Sequence, residues 1–188
     1  MQFLIVAASK NRPGINPDTG TPWRDATGVF LPGMRQCGAW LRSLGHDVVG
    51  ASIDNSQAPS AIRRDVRDVI EDIVPDRLVV LCHGLRGSVQ LLGGPLAIPS
   101  LVQVLPPNLR FISLLACLSG ATNGYAEALS KAAGGIAVLG HPTVGHAFRN
   151  PRVVTYWNGT SREDTHTPAR MAAADRWKYL CGPGLVAS

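Results

Sequence analysis

Residues 78–87 read LVVLCHGLRG, and residues 111–120 read FISLLACLSG. Each is a short apolar run that stops at one chemically able side chain, His83 in the first and Cys117 in the second, with glycine close behind. Apolar runs of about four to eight residues bounded by glycine suit strands buried on both faces, as in parallel sheets. Outward from this pair the chain alternates strand and helix signals. Residues 2–8 (QFLIVAA) predict a strand, and 33–45 place Met34, Cys37, Leu41 and Leu44 on one helical face with Gly45 as the stop. A strand over 46–53 follows. Ile62, Val66, Val69, Ile70 and Ile73 then recur at helical spacing across 60–73, with Ser60 as N-cap and Pro75 closing.

Strand 78–82 leads into SVQLLGGPLAI, where Gly93-Gly94 predicts a small hairpin outside the main sheet. The spacing then predicts a short helix over 99–105, a strand over 111–116, a helix near 123–133 and a strand over 136–139. VVTYW at 153–157 reads as a strand, and 168–180 as a helix capped by Thr167 with Pro168 in its first turn. The expected fold is α/β, a mostly parallel sheet with helices on both faces, formed by one domain over 1–188. The loop at 9–31 leaves the carboxyl edge of the first strand, where open α/β sheets bind ligands, so it reads as a lid or pocket wall.

At 188 residues the chain can build a core without disulfide or metal staples. No apolar run reaches the roughly eighteen residues that cross a bilayer, and the start lacks the basic region of a signal peptide, so the expectation is a cytoplasmic protein without a membrane partner. Cys37, Cys82, Cys117 and Cys181 lack the spacing of a disulfide framework or zinc knuckle and read as reduced thiols. The net charge of +5 is carried mainly by arginines scattered among aspartates, as in IRRDVRDVIED, which predicts a solvated surface rather than a nucleic-acid partner.

If the two apolar strands are neighbours, His83 and Cys117 emerge at one sheet edge and a thiol stands beside a base. Imidazole can favour the nucleophilic thiolate and return a proton to a leaving group. The N–H groups of Gly84 and Cys117 would then serve an oxyanion. Cys82 points the other way by alternation and reads as core. A metal site drawn from Cys82, His83, Cys117, His141 and His146 lacks ligand spacing, so no metal is expected. An α/β-hydrolase would need a G-x-S-x-G elbow, which CLSG does not supply.

With LVVLCHG and FISLLACLSG in this order, the chain resembles the caspase-like cysteine peptidases, the group of caspases, metacaspases and CHAT-domain proteases. MRQCGAWLRSLGHDV, IRRDVRDVIED and GSVQLLGGPLAI resemble the successive elements of a caspase large subunit, so the resemblance spans roughly residues 1–140. It implies a caspase-like fold and a thiol protease, a hydrolase of protein or peptide substrates needing no cofactor, with His83 as catalytic base and acid, Cys117 as nucleophile and Gly84 as oxyanion donor. It also implies a substrate groove in 141–188, with Arg12, His141, His146 and Arg149 as substrate contacts, Arg152 as a further candidate for an acidic side chain, and a homodimer or regulatory partner as possible company. Leu115 stands where metacaspases carry an acidic residue, so their preference for basic substrates does not transfer. Glu163 and Asp164 read as a solvated loop. The alternative is a catalytically inactive caspase-like scaffold or binding protein, since fold does not settle activity.

Overall fold

The computed structural model describes residues 1–10, 14–15, 20–22, 29–144, 152–166 and 173–181. A seven-stranded sheet forms from β1 (Gln2–Ser9), β2 (Asp47–Asp54), β3 (Arg77–Leu81), β6 (Phe111–Leu115), β7 (Ala137–Gly140), β8 (Arg152–Trp157) and β9 (Thr160–His166), in the spatial order β2-β1-β3-β6-β7-β8-β9. The first five pair in parallel and the last two run antiparallel. The central strands β1, β3 and β6 are apolar and buried almost throughout, which is why their sequences show no alternation. Going from β1 to β2 the chain moves one way along the sheet, and from β2 to β3 it returns to the other side of β1. The carboxyl edge between β1 and β3 is therefore the topological switch point of a doubly wound sheet.

Helices cover both faces. On one face α1 (Phe30–Ser43) and α5 (Ala173–Leu180) pack, with the Ser113 hydroxyl donating to the Leu180 carbonyl and the Arg77 guanidinium donating to the Cys181 carbonyl at 3.2 Å. On the other, α2 (Pro59–Ile73) reaches through Arg63 to Gly93 and Ala97, beside the 3-10 turn Pro95–Ala97, α3 (Ile98–Val102) and α4 (Tyr125–Ala132). No helix among the described residues is long and apolar enough to cross a membrane.

Local chemistry sets the ends of these elements. Gly45, at φ +79°, closes α1 with its N–H on the Arg42 carbonyl and the next N–H, of His46, on Leu41, the double bond of a Schellman motif. Ser60 is not the cap of α2. The helix opens one residue earlier, with Ala58 as N-cap and Pro59 at the first position, where a missing N–H costs nothing. The hairpin also sits earlier than Gly93-Gly94 implied. A small ribbon forms between β4 (Gly84–Leu85) and β5 (Ser88–Val89), turning at Arg86-Gly87, and Gly93 at φ +85° folds back onto Val89. The segment TSREDTH, with Glu163 and Asp164, is an edge strand rather than a loop. A polar, charged sequence suits a sheet edge that must not pair further, and the same polarity hides it from an apolar pattern. Thr167 and Pro168 lie outside the described residues, as does most of the loop at 9–31.

Candidate functional site

Strands β3 and β6 are hydrogen-bonded neighbours whose last paired residues are Leu81 and Leu115. Two steps beyond that pair stand His83 and Cys117. Register carries Ile5 to Val79, and Val79 to Ser113, so by alternation Leu81 and Leu115 fall on the face that α1 and α5 cover, with His83 and Cys117 following beyond the last paired residues. The imidazole of His83 meets the ring of Phe30, the first residue of α1, at 5.0 Å between centroids and 82° between planes. This edge-to-face packing fixes the ring at the switch point. His83 is half-buried, and so is Cys117, whereas Cys37, Cys82 and Cys181 are buried.

Gly84 explains the His-Gly pair. A Cβ built on it would lie 2.5 Å from the Cys117 carbonyl oxygen and 2.8 Å from the Cβ of Ala116. The backbones after His83 and around Cys117 therefore run in contact, and only glycine fits there. Beyond Cys117 the chain turns sharply, with Leu118 at φ +55°, a conformation costing roughly 1–2 kcal/mol for such a residue. The turn is held by Leu118 N–H on the Thr143 carbonyl at 3.3 Å and by Ala121 N–H on the Leu118 carbonyl at 3.1 Å. Gly120 then packs backbone to backbone on Gly140, a Cβ on either meeting the other within 2.6 Å. A half-buried thiol thus sits at a strained strand end, a place where proteins commonly hold reactive groups.

His141 is not at a groove surface. It is fully buried at the end of β7, with Nδ1 3.0 Å from the Arg152 carbonyl and its N–H donating to the Ser119 hydroxyl at 3.2 Å. Burial drives its pKa down to about 4, so the ring is neutral and structural at ordinary pH. Its Nε2 has no partner among the described residues. Arg12, His146 and Arg149 lie outside the described residues. By alternation Arg152 shares a face with Val154, Gly140 and Leu114, the face opposite Ser113 and Leu115. There it lines a cleft with Arg86, a residue the sequence pattern does not single out. Cys181 is fully buried, its sulfur 3.3 Å from that of Cys37. No cluster of metal-ligating side chains occurs among the described residues.

No protein-family model matches the chain. No curated protein matches either. Solved structures similar to it include a glycoside hydrolase family 3 β-N-acetylglucosaminidase from Paenibacillus sp. str. FPU-7, at 17% identity and a TM-score of 0.33, covering 62% of this chain. The chain spans 18% of that enzyme's length. Likeness at that level says nothing about the chemistry of this chain.

Proposed function

We propose that this protein is a caspase-like cysteine endopeptidase in which Cys117 is the nucleophile and His83 the base and acid. The observation that carries the reading is the pairing of β3 with β6, whose last paired residues, Leu81 and Leu115, stand two positions before His83 and Cys117 respectively. His83 takes the thiol proton, and the Cys117 sulfur attacks the peptide carbonyl carbon to give a tetrahedral oxyanion. The N–H groups of Gly84 and Cys117 are the proposed donors to that oxyanion. Collapse breaks the C–N bond, with His83 protonating the leaving amine. The resulting thioester is hydrolysed by a water that His83 deprotonates, and Cys117 leaves as the thiol. These steps use only side chains and backbone.

Site-resolved alkylation across pH tests the dyad. Exposure alone would make Cys117 react ahead of the three buried thiols, so the pH dependence is the readout rather than the selectivity. An ordinary thiol is only about 0.3% thiolate at pH 6, whereas one activated by imidazole is largely ionised there. Fast alkylation of Cys117 at pH 6 that slows at least about tenfold in His83→Ala supports the reading, and digestion of a peptide library should then be lost in Cys117→Ala. A Cys117 that titrates like a free thiol in both proteins, with no cleavage, would turn the protein into a non-catalytic binding member of the fold.

A further inference from the structure

Where α5 meets α1, the sulfurs of Cys37 and Cys181 stand 3.3 Å apart and both side chains are fully buried. Cys37 belongs to α1, and Cys181 directly follows α5, 144 positions along the chain. The backbone around Cys181 is tied to two strands of the sheet. Its carbonyl accepts from the guanidinium of Arg77, in β3, at 3.2 Å, and the carbonyl of Leu180 accepts from the hydroxyl of Ser113, in β6. The Cys181 N–H donates to the Trp177 carbonyl at 2.9 Å, which continues the helical turn. A helix of eight residues is too short to persist on its own backbone bonds, so α5 stays folded through what it buries, Trp177, Leu180 and Cys181 among them. The thiol pair therefore lies where a weakly self-sufficient helix is fastened to the rest of the fold.

We propose that Cys37 and Cys181 are a redox pair, a site of modification by small disulfides such as oxidised glutathione, whose closure latches α5 to α1. The chemistry balances with that oxidant alone. The thiolate of one cysteine attacks a sulfur of the glutathione disulfide, whose S–S bond breaks and releases one glutathione thiolate. The second cysteine gives up its proton and attacks the protein sulfur of the mixed disulfide, and a second glutathione leaves. The protein loses two hydrogens, and one oxidised glutathione becomes two reduced ones. Only a thiolate reacts, and burial, with the Cys37 sulfur beside it, pushes the Cys181 thiol up. Both sulfurs are also closed off from solvent. Exchange in the native protein therefore waits for α5 to lift, and once the bond has closed α5 no longer lifts. The latch holds the helix over Arg77 and Ser113, in the paired strands that lead to His83 and Cys117. It does not depend on the peptidase reading.

The test incubates the native protein with oxidised and reduced glutathione in varied ratio and maps disulfides by mass spectrometry after digestion without reductant. Amide hydrogen exchange in α5 is followed on the same samples. The expected product is a Cys37–Cys181 crosslink that forms without denaturant and is reversed by dithiothreitol. Half-buried Cys117 should gather a glutathione adduct, which the map separates from the crosslink. Exchange of the amides from Trp177 to Cys181 should slow at least about tenfold in the crosslinked protein, because the local opening that exposes them is removed. Both the crosslink and the added protection should vanish in Cys37→Ala, with Cys181→Ala as the second variant. The comparison of oxidised with reduced wild type decides the matter even where neither variant folds. Glutathione adducts at Cys37 or Cys181 that never close, or no reaction of either at the most oxidising ratio, overturn the redox pair. A crosslink that leaves exchange in α5 unchanged overturns the latch.

Discussion

Gly84→Ala is the sharpest perturbation of the edge where the backbone after His83 runs against that of Cys117. The added methyl would stand 2.5 Å from the Cys117 carbonyl oxygen and 2.8 Å from the Ala116 Cβ. Comfortable carbon contacts lie at about 3.5–4.0 Å, so both neighbours are overlapped by roughly 0.7–1 Å. Neither can swing aside, since one is a backbone oxygen and the other a Cβ fixed to the main chain. Overpacking of that kind costs about 1–3 kcal/mol, and two anchored contacts place this variant near 3. With a urea slope of about 2 kcal/mol/M, the unfolding midpoint should drop by about 1–1.5 M. The two strand ends must also part by up to about 1 Å, and if His83 activates Cys117 its alkylation at pH 6 should slow. Gly87→Ala, in the adjacent turn, is the control: its Cβ meets nothing within 4 Å and its φ is not left-handed. That variant should match the wild type or gain about 0.5 kcal/mol from a less flexible unfolded chain. A Gly84→Ala protein that unfolds at the wild-type midpoint, with unchanged Cys117 reactivity, would refute the close approach and the role given to this glycine.

His141 should make the fold acid-sensitive. Its folded pKa of about 4 lies below the ordinary 6.5, so the unfolded chain binds the extra proton. Stability is therefore complete above pH 6.5 and is lost as pH falls from 6.5 to about 4, by about 3 kcal/mol in all. Urea midpoints at pH 7, 5.5 and 4.5 should fall steeply in the wild type and much less in His141→Asn, and equal slopes would refute this. Cys37 and Cys181 should resist alkylation in the native protein, because both are buried. Their sulfurs stand 3.3 Å apart, so slow exchange with oxidised glutathione should remove two hydrogens from the protein and release two reduced glutathiones. The closed loop, spanning a separation of 144 residues, stabilises by up to about 5 kcal/mol in the chain-entropy model. Mixed disulfides without ring closure, or closure that persists in Cys37→Ser, would count against it. Tyr156→Phe removes the hydroxyl that donates to the Gly120 carbonyl and should cost about 1 kcal/mol in chemical denaturation, and an unchanged midpoint would count against that bond.

The parallel core was legible because it is buried on both faces. QFLIVAA, LVVL and FISLL are apolar runs too short for helices, and each is a strand. The amphipathic period of 60–73 gave α2, although Pro59 rather than Ser60 opens it. What escaped was written in chemistry that composition does not flag. The strand TSREDTH is polar because it is the sheet's edge, and the β4–β5 ribbon consists of two-residue strands whose pairing depends on the turn between them. Gly93-Gly94 looked like the turn because it supplies left-handed backbone, which the structure uses for the return onto Val89 instead.

The site divides along the same line. The two strands that lead to His83 and Cys117 could be read from sequence because apolar runs ending in glycine are one-dimensional facts, and the sheet lays β3 beside β6 in parallel. Phe30, which packs on His83, could not be found that way, since it is brought in by α1 from more than fifty positions upstream. His141 misled for a related reason. A histidine after a strand looks like a loop residue until β8 is laid antiparallel beside β7 and buries it under the Arg152 carbonyl. That same antiparallel pairing puts Arg152 in one cleft with Arg86. The sheet edge thus has two chemically different sides. One holds the His83 imidazole against Phe30, while the other carries Arg86 and Arg152. Gly120, pinned by Gly140, His141 and Tyr156, ties the turn after Cys117 to β7 and β8, so a substitution there should disturb that turn and both strands together.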